Sequence, residues 1–180
     1  MTAKVVAALL AAGAGSRFEG PTHKLLAPFG GRPLYEWALD SVRAAGLPVV
    51  VVTGDVELDL PDDVARVDNP DWAGGIATSL QAAVRAAGDA DAVVIGLADQ
   101  PRIPTEAWQL VAGTDAPIAV ATYHRRRRNP VRLGRAVWPL LPVTGDQGAS
   151  VLFRDHAVVE VACPGDPADV DRVEDLDQWS

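Results

Sequence analysis

The sequence predicts one α/β domain, spanning residues 1–180, with a mostly parallel sheet and helices on both faces. Continuous apolar runs alternate with segments whose apolar residues recur at helical spacing, which is typical of strands joined by crossover helices. A length of 180 residues corresponds to a single domain. The chain is 48% hydrophobic and 22% charged, and this composition excludes a disordered protein because it supplies enough apolar surface for a core.

The first predicted strand lies in residues 4–13, an apolar run that ends at Gly13. Such a run is typical of a strand covered on both faces, and it is too short for a membrane span. Lys4 is the only basic residue ahead of it, which argues against a secretory signal. The first helix is predicted in residues 33–46, where apolar residues recur at helical spacing up to Gly46.

The later elements continue the alternation of strand and helix. Thr105 is predicted to cap one helix. The four arginines at 125–128 are interpreted as a solvated segment, and the alternative is that they lie beside an active site and neutralise an anionic acceptor. Residues 144–150 are predicted to form a turn that opens a short helix. Further strands are predicted in residues 47–55, 63–70, 91–99, 116–124 and 157–163, and further helices in residues 74–88 and 105–113.

Charge and cysteine content narrow the class of partner and the compartment. The net charge of −8 gives no indication of a nucleic-acid or membrane partner. The single cysteine, Cys163, cannot form an internal disulfide. We therefore expect a buried structural thiol in a protein of the reducing cytoplasm.

The carboxyl ends of parallel strands meet at one edge of such a sheet, and ligands bind there. After the first strand comes a glycine-rich loop, in which Gly13 and Gly15 allow the backbone to approach phosphate oxygens. The loop carries Arg17 and Lys24, and cations there suit a triphosphate whose leaving pyrophosphate gains charge during transfer. The alternative is an ordinary turn with two solvated cations.

Asp99 is the last residue of the fourth predicted strand, and Pro101 prevents the strand from continuing. A carboxylate opposite a phosphate-binding loop is positioned to hold Mg²⁺, which shares its oxygen ligands with phosphates, and the alternative is a turn residue. Asp146, Asp169 and Asp171 are candidates to complete a metal site, or to cap helices. The remaining acidic residues near the C-terminus are interpreted as caps or surface charges: Asp166, Asp175 and Asp177.

Residues 69–80 form another strand end, with the sequence NPDWAGGIATSL. Gly74 and Gly75 stand at a predicted helix start, and Thr78 and Ser79 lie in its first turns. Free backbone N–H groups and small hydroxyls there are suited to bind a base or a ribose, and helix capping is the alternative use.

The order of these motifs resembles that of a known family. Residues 9–34, LLAAGAGSRFEGPTHKLLAPFGGRPL, together with GLADQP at 96–101, are similar to the MobA-like nucleotidyltransferases. Within this family, these two motifs are most similar to those of the molybdenum cofactor cytidylyltransferase branch. The resemblance extends over nearly the whole chain through the segments at 69–80, 129–131, 144–150 and 169–176.

The resemblance implies a Rossmann-like (GT-A-like) fold and transfer of a nucleotidyl group from a nucleoside triphosphate, with release of pyrophosphate. CTP and molybdopterin are the implied substrates, Mg²⁺ or Mn²⁺ the implied cofactor, and a molybdoenzyme under maturation the implied protein partner. Arg17 and Lys24 are expected to bind the triphosphate, and Asp99, with Asp171, the metal. Asn129 and Asp146 are expected on the acceptor side, and the expected nucleotide-binding residues are Leu10, Ala11, Ala12, Gly13, Gly15, Gly54, Gly75 and Ser79.

Two alternatives stay open. A nucleotidyltransferase of the same fold that uses GTP, or another phosphorylated acceptor such as a sugar phosphate, would have the same spacing of motifs. A carrier or maturation chaperone that binds the molybdenum cofactor without turnover belongs to a different class. Arg17, Lys24 and Asp99 together argue against a carrier, because a carrier does not need all three.

Overall fold

The computed structural model of the chain describes residues 3–177. The strands are β1 (Val5–Ala11), β2 (Pro28–Phe29), β3 (Arg32–Pro33), β4 (Val49–Thr53), β5 (Ala65–Asp68), β6 (Ala92–Leu97), β7 (Ile118–Tyr123), β8 (Arg126–Gly134) and β9 (Val159–Ala162). The helices are α1 (Leu34–Ala44), α2 (Ile76–Ala86), α3 (Thr105–Ala112) and α4 (Val173–Asp177), and short 3-10 helices cover Lys24–Leu26, Trp72–Gly74, Arg135–Leu140 and Ala149–Arg154. The side chain of Asp177, interpreted above as a cap or surface charge, and residues 178–180 lie outside the described part.

Seven strands form one sheet in the order β5-β4-β1-β6-β8-β7-β9, and β2 pairs with β3 in a separate hairpin. β5, β4, β1 and β6 are parallel to one another, and β9 is parallel to β7. β8 is antiparallel to both of its neighbours. The predicted α/β class with a mostly parallel sheet is therefore confirmed.

The central strand β1 is buried on both faces of the sheet. Its even-numbered residues, 6 to 10, belong to the core cluster that contains Leu80 of α2. Its odd-numbered residues, 7 to 11, belong to the cluster that contains Leu39 of α1 and Trp108 of α3. Because side chains of a strand alternate between the two faces, helices are needed on both sides, as the continuous apolar run predicts.

Residues 126–128 of the arginine run belong to β8, so most of the run is a strand, and its exposed side chains agree with the interpretation as a solvated segment. Positive φ angles at His124 (49°) and Arg125 (65°) reverse the chain after β7. Residues 126–128 then pair with residues 121–123 of β7. β6 pairs with β8 only at residues 131–134, so the arginine half of β8 has one neighbouring strand and exposed side chains. Because this half of the strand is polar throughout, the sequence pattern does not indicate it.

Thr105 is not the cap of α3. Pro104 occupies the N-cap position, and Thr105 is the first residue of the helix. Its hydroxyl donates instead to the carbonyl oxygen of Ser41 at 3.0 Å, which ties the start of α3 to α1. The thiol of Cys163 is partly buried beside the core, and this burial raises its pKa, as expected for a structural thiol.

No helix among residues 3–177 is long and apolar enough to cross a membrane. The carboxyl ends of the parallel strands β1, β4 and β6 meet at one edge of the sheet. The loops that begin at residues 12, 54 and 98 start at this edge. The fold thus brings the strand ends singled out in the sequence into one region.

The ring of Trp108 packs directly against Gly96, in the middle of the sheet. A Cβ at Gly96 would lie 2.4 Å from Cη2 of Trp108, whose side chain is only 2% exposed. We predict that Gly96→Ala lowers the free energy of unfolding by about 1–3 kcal/mol, because the ring cannot move without displacing its neighbours. Urea unfolding measures this change.

Gly148→Ala is the matched control for that measurement. Gly148 has φ −79°, and a Cβ there would meet no atom within 4 Å. Its effect should stay within about 0.5 kcal/mol. Equal stabilities of the two variants would contradict the packing argument for Gly96.

Candidate active site

The glycine-rich loop after β1 is held closed by His23. Nδ1 of His23 accepts a hydrogen bond from the backbone N–H of Leu25 (3.2 Å), and in that tautomer Nε2 donates to the carbonyl oxygen of Gly13 (3.0 Å). Gly15 has a φ of 62°, and a Cβ there would lie 3.3 Å from the Cβ of Lys24. The loop therefore has a defined shape, fixed by a histidine for which the sequence predicts no role.

This loop forms one wall of a cavity of about 380 Å³, which we call the first cavity. The start of α2 and the ends of β1 and β6 form the other walls. Gly54 lies behind the loop, where a Cβ would be 2.5 Å from the carbonyl oxygen of Ala12. The predicted nucleotide-binding residues that line the cavity are Leu10, Ala11, Ala12, Gly13, Gly15, Gly75 and Ser79.

The hydroxyls at the start of α2 are bound within the turn. Asn69 is buried and donates to Oγ1 of Thr78 (2.9 Å) and Oγ of Ser79 (3.1 Å). The Thr78 hydroxyl in turn donates to the carbonyl oxygen of Gly75 (2.9 Å). Neither side chain caps the helix, and the network fixes Ser79 at the cavity wall.

Asp146 lies at the first cavity, away from Asn129, with which it was expected. The backbone N–H of Gly145 donates to the carbonyl oxygen of Gly74 (2.7 Å), and the N–H of Ala77 donates to that of Gly145 (3.1 Å). These two bonds hold the Asp146 turn against the start of α2. The sequence does not indicate this contact, because β6, β7 and β8 lie between the two segments along the chain.

Four charged side chains form the centre of the site. Nζ of Lys24 lies 2.6 Å from Oδ2 of Asp99 and 3.7 Å from Oδ1 of Asp171. Nη1 of Arg17 lies 3.2 Å from Oδ2 of Asp171. The Lys24 and Asp99 side chains are only 13% and 17% exposed, so their attraction is weakly screened by water. Both predicted cations thus pair with the two predicted metal ligands.

Asp169 occupies a different position from Asp171. Its Oδ1 accepts a hydrogen bond from Nε2 of Gln100 at 2.6 Å. Desolvation in the cleft, and then the negative charge of Asp99, raise the pKa of the Asp169 carboxyl. Asp175 acts as a cap, as predicted, because its Oδ2 accepts from the backbone N–H groups of Asp171 and Arg172.

A second cavity, of about 360 Å³, adjoins the first. The two share the side chains of Leu10, Ile76 and Leu97 in their walls. Asn129, predicted on the acceptor side, lines the second cavity. Of the arginine run, two residues line it as well: Arg127 and Arg128.

The donor set suits a divalent cation that also binds phosphate. Among residues 3–177 no group of three or more histidine, cysteine, aspartate or glutamate side chains could hold a metal by itself. Asp99 and Asp171 supply carboxylate oxygens, and Oδ1 of Asp99 is buried without a hydrogen-bond partner in the described structure. Mg²⁺ and Mn²⁺ accept one or two carboxylates when phosphates and water complete the coordination.

Comparison with known proteins agrees with this geometry. Residues 7–161 match the MobA-like NTP transferase domain. The chain belongs to that family. The match includes the glycine-rich loop, Asp99, Asn129 and the turn that carries Asp146, and it ends before the segment that carries Asp171.

The chain is also similar to three individual proteins. Nicotine blue oxidoreductase of Paenarthrobacter nicotinovorans is 29% identical over 96% of this chain and 94% of its own length. The crystal structure of Rv0371c from Mycobacterium tuberculosis is 28% identical, with a TM-score of 0.81 over 99% of this chain and 98% of its own. A nucleotidyl transferase from Methanothermobacter, Mth528, is 24% identical and shares the fold, with a TM-score of 0.79 over 97% and 95% of the two chains.

Rv0371c has also been crystallised in complex with manganese. The likeness to that structure, at 24% identity and a TM-score of 0.75, concerns the fold. None of these relatives is named as a molybdenum cofactor cytidylyltransferase, so that branch stays a prediction.

The pairing of Lys24 with Asp99 predicts opposite effects on metal and nucleotide binding. Lys24→Met removes a cation from beside the carboxylates, so Mn²⁺ binding without nucleotide should become about tenfold tighter. CTP binding should weaken by about tenfold or more, because a charge-assisted contact to phosphate is lost. Electron paramagnetic resonance measures free Mn²⁺, and equilibrium dialysis measures bound CTP.

Lys4→Met is the matched control, since Lys4 is the other lysine of the chain and pairs with Asp89 at the surface. It should leave both affinities unchanged. Weaker Mn²⁺ binding in Lys24→Met would contradict the assignment of Asp99 as a metal ligand that Lys24 occupies in the free protein.

Proposed function

We propose that this protein is a nucleotidyltransferase that moves CMP from CTP onto the phosphate of molybdopterin. The observation that carries the proposal is the pairing of Lys24 with Asp99, at the carboxyl edge of the central strands and beside a glycine-rich loop. Membership of the MobA-like NTP transferase family supports the reaction class. The choice of CTP and molybdopterin rests on the resemblance of the sequence motifs.

The reaction is a displacement at phosphorus without a change of oxidation state. An oxygen of the acceptor phosphate attacks the α-phosphorus of CTP. The bond between that phosphorus and the oxygen that bridges the α- and β-phosphates breaks. Pyrophosphate leaves with the electron pair. The protein contributes positioning and charge neutralisation, since no covalent intermediate with a side chain is required.

The two cavities provide a place for each substrate. The base and ribose lie in the first cavity, against the backbone of Leu10–Gly13 and the turn with Gly75 and Ser79, and Gly54 supports the loop from behind. Arg17 and Lys24 leave their carboxylate partners to bind phosphate oxygens. Asp99 and Asp171 would hold Mg²⁺ or Mn²⁺, which supplies positive charge to the triphosphate. The acceptor enters the second cavity, beside Asn129.

The substrate panel that tests the proposal measures pyrophosphate release from CTP, GTP and ATP, each with and without molybdopterin. We expect release only when molybdopterin is present, and a kcat/KM at least about 100-fold higher for CTP than for GTP, because a base-reading site leaves polar groups unpaired with the wrong base. A preference for GTP would indicate that the protein transfers GMP instead of CMP. Turnover of a sugar phosphate but not of molybdopterin would exclude the cofactor as acceptor.

Two other outcomes would replace the proposal by a different class. Molybdopterin binding without any pyrophosphate release would support a carrier or chaperone. The second candidate function is an oxidoreduction, favoured by the 29% identity to nicotine blue oxidoreductase over nearly its whole length. Oxidation of NADPH by an added quinone-type dye, with no pyrophosphate release from any triphosphate, would support that function.

The two ends of the arginine run should differ in their effect on the acceptor. Arg128 lines the second cavity, whereas Arg126, two residues earlier on β8, is exposed and does not line it. Arg128→Ala should raise the molybdopterin KM about tenfold through loss of a charged contact, with the CTP KM unchanged. Arg126→Ala is the control and should change neither. Equal effects of both variants would indicate a general electrostatic contribution of the run.

A further inference from the structure

Asp169 is the acidic residue in the wall of the second cavity, and the proposed reaction gives it no role. It lines that cavity together with Gln100 and Asn129, and it is exposed to solvent. Among residues 3–177 no lysine, arginine or histidine forms an ion pair with it. Asp171, two residues later, instead pairs with Lys24 and Arg17. The two carboxylates therefore serve different parts of the cleft.

The Gln100 side chain fixes the carboxylate of Asp169. Gln100 is 2% exposed, and its Nε2 donates to Oδ1 of Asp169 (2.6 Å) and to the carbonyl oxygen of Pro167 (2.9 Å). Its Oε1 accepts from Nδ2 of Asn129 (3.0 Å). If the Gln100 amide were rotated by 180°, its NH₂ group would face the NH₂ group of Asn129, and its oxygen would face the carboxylate of Asp169. These contacts therefore determine the orientation of the Gln100 amide.

Anchoring of the chain does not explain this network. The segment that carries Asp169 is already fixed by Val170, which is fully buried in a small apolar cluster with Phe29 and Leu34. The backbone N–H of Val170 also donates to the carbonyl oxygen of Asp99 at 3.0 Å. Asp99 and Asp171 repel the Asp169 carboxylate, yet Gln100 holds it at the wall of the second cavity, where a donor group of a bound molecule can reach it.

We propose that Asp169, held by Gln100 and Asn129, selects the acceptor by accepting a hydrogen bond from one of its N–H or O–H groups. The assignment rests on the proposed function, because it requires the second cavity to hold the acceptor. Asp169 determines specificity directly, and Gln100 is a positioning residue that acts through it.

The rest of the cavity describes the chemical class of the acceptor. Its walls are largely apolar and include Leu80, Ile95, Val131 and Phe153, which suit the faces of a ring. Arg128 adds positive charge, whereas Arg127, which also lines the cavity, pairs with Glu160 at 2.8 Å. These features together select a small phosphorylated compound with a heterocyclic ring whose N–H edge meets Asp169. A sugar phosphate, which would offer hydroxyl donors, is the other source of the same contact.

Asp169→Asn and Asp169→Ala test the assignment in the full-length protein. The KM values for molybdopterin and for CTP, and the Mn²⁺ affinity without nucleotide, are measured for each variant. Both variants should raise the molybdopterin KM about tenfold or more, with the CTP KM unchanged and a smaller loss of Mn²⁺ affinity, because a negative charge beside Asp99 and Asp171 is removed. Asp166→Ala is the matched control, because Asp166 belongs to the same segment, pairs with Arg102 at the surface and does not line the cavity.

Gln100→Met separates positioning from direct contact. It keeps the length of the side chain but removes its hydrogen bonds, and it should raise the molybdopterin KM. The double variant with Asp169→Ala should be no worse than Asp169→Ala alone, because Gln100 acts through Asp169. A purely structural role would lower the thermal stability of Gln100→Met and leave the KM of the folded enzyme unchanged.

Each other outcome has one meaning. An unchanged molybdopterin KM in both Asp169 variants, or a matched loss of Mn²⁺ affinity, overturns the assignment and leaves the proposed function intact. Turnover of glucose 1-phosphate with the same dependence on Asp169 supports it, with a hydroxyl as the donor. Wild-type protein that uses neither acceptor overturns the proposed function, and the assignment of Asp169 with it.

Discussion

The salt bridge between Lys24 and Asp99 is the interaction on which the arrangement of the site depends. It connects the loop after β1 with the end of β6, two neighbouring parallel strands. Without it, a largely buried carboxylate would lie beside two further aspartates with little compensation. The same two groups are those that phosphate and a divalent cation would bind. Under the proposed function, the free protein therefore holds these two charges as an internal pair, which phosphate and a divalent cation would replace.

The shared wall of Leu10, Ile76 and Leu97 explains how one domain can hold two substrates. Two of these residues end neighbouring strands and the third begins α2, so their positions follow directly from the parallel pairing. Loops bring the polar groups to each side of this apolar partition. One side receives the glycine-rich loop and the other receives β8, which explains why the chemistry of the two cavities differs.

The sequence predicts those parts of the site that depend on local pattern. Asp99 at a strand end, and the glycine-rich loop with Lys24, are recognisable because strand ends of a parallel sheet meet in space. The sequence does not indicate that Asp146 lies at the first cavity, since its contact with Gly75 joins two segments that are distant in the chain. His23 was missed because a lone histidine has no periodicity. The strand character of residues 126–128 was missed because arginines on a half-paired strand resemble a loop.

The turn that carries Asp146 has a consequence for the kinetics of access. Among residues 3–177, two backbone hydrogen bonds, both at Gly145, link it to the start of α2, and the turn itself is solvent-exposed. The free energy needed to release such a segment is far below that of unfolding the sheet behind it. The entrance of the first cavity can therefore widen by a sub-global opening, on a timescale set by this turn, while the strand ends that carry the charges keep their positions.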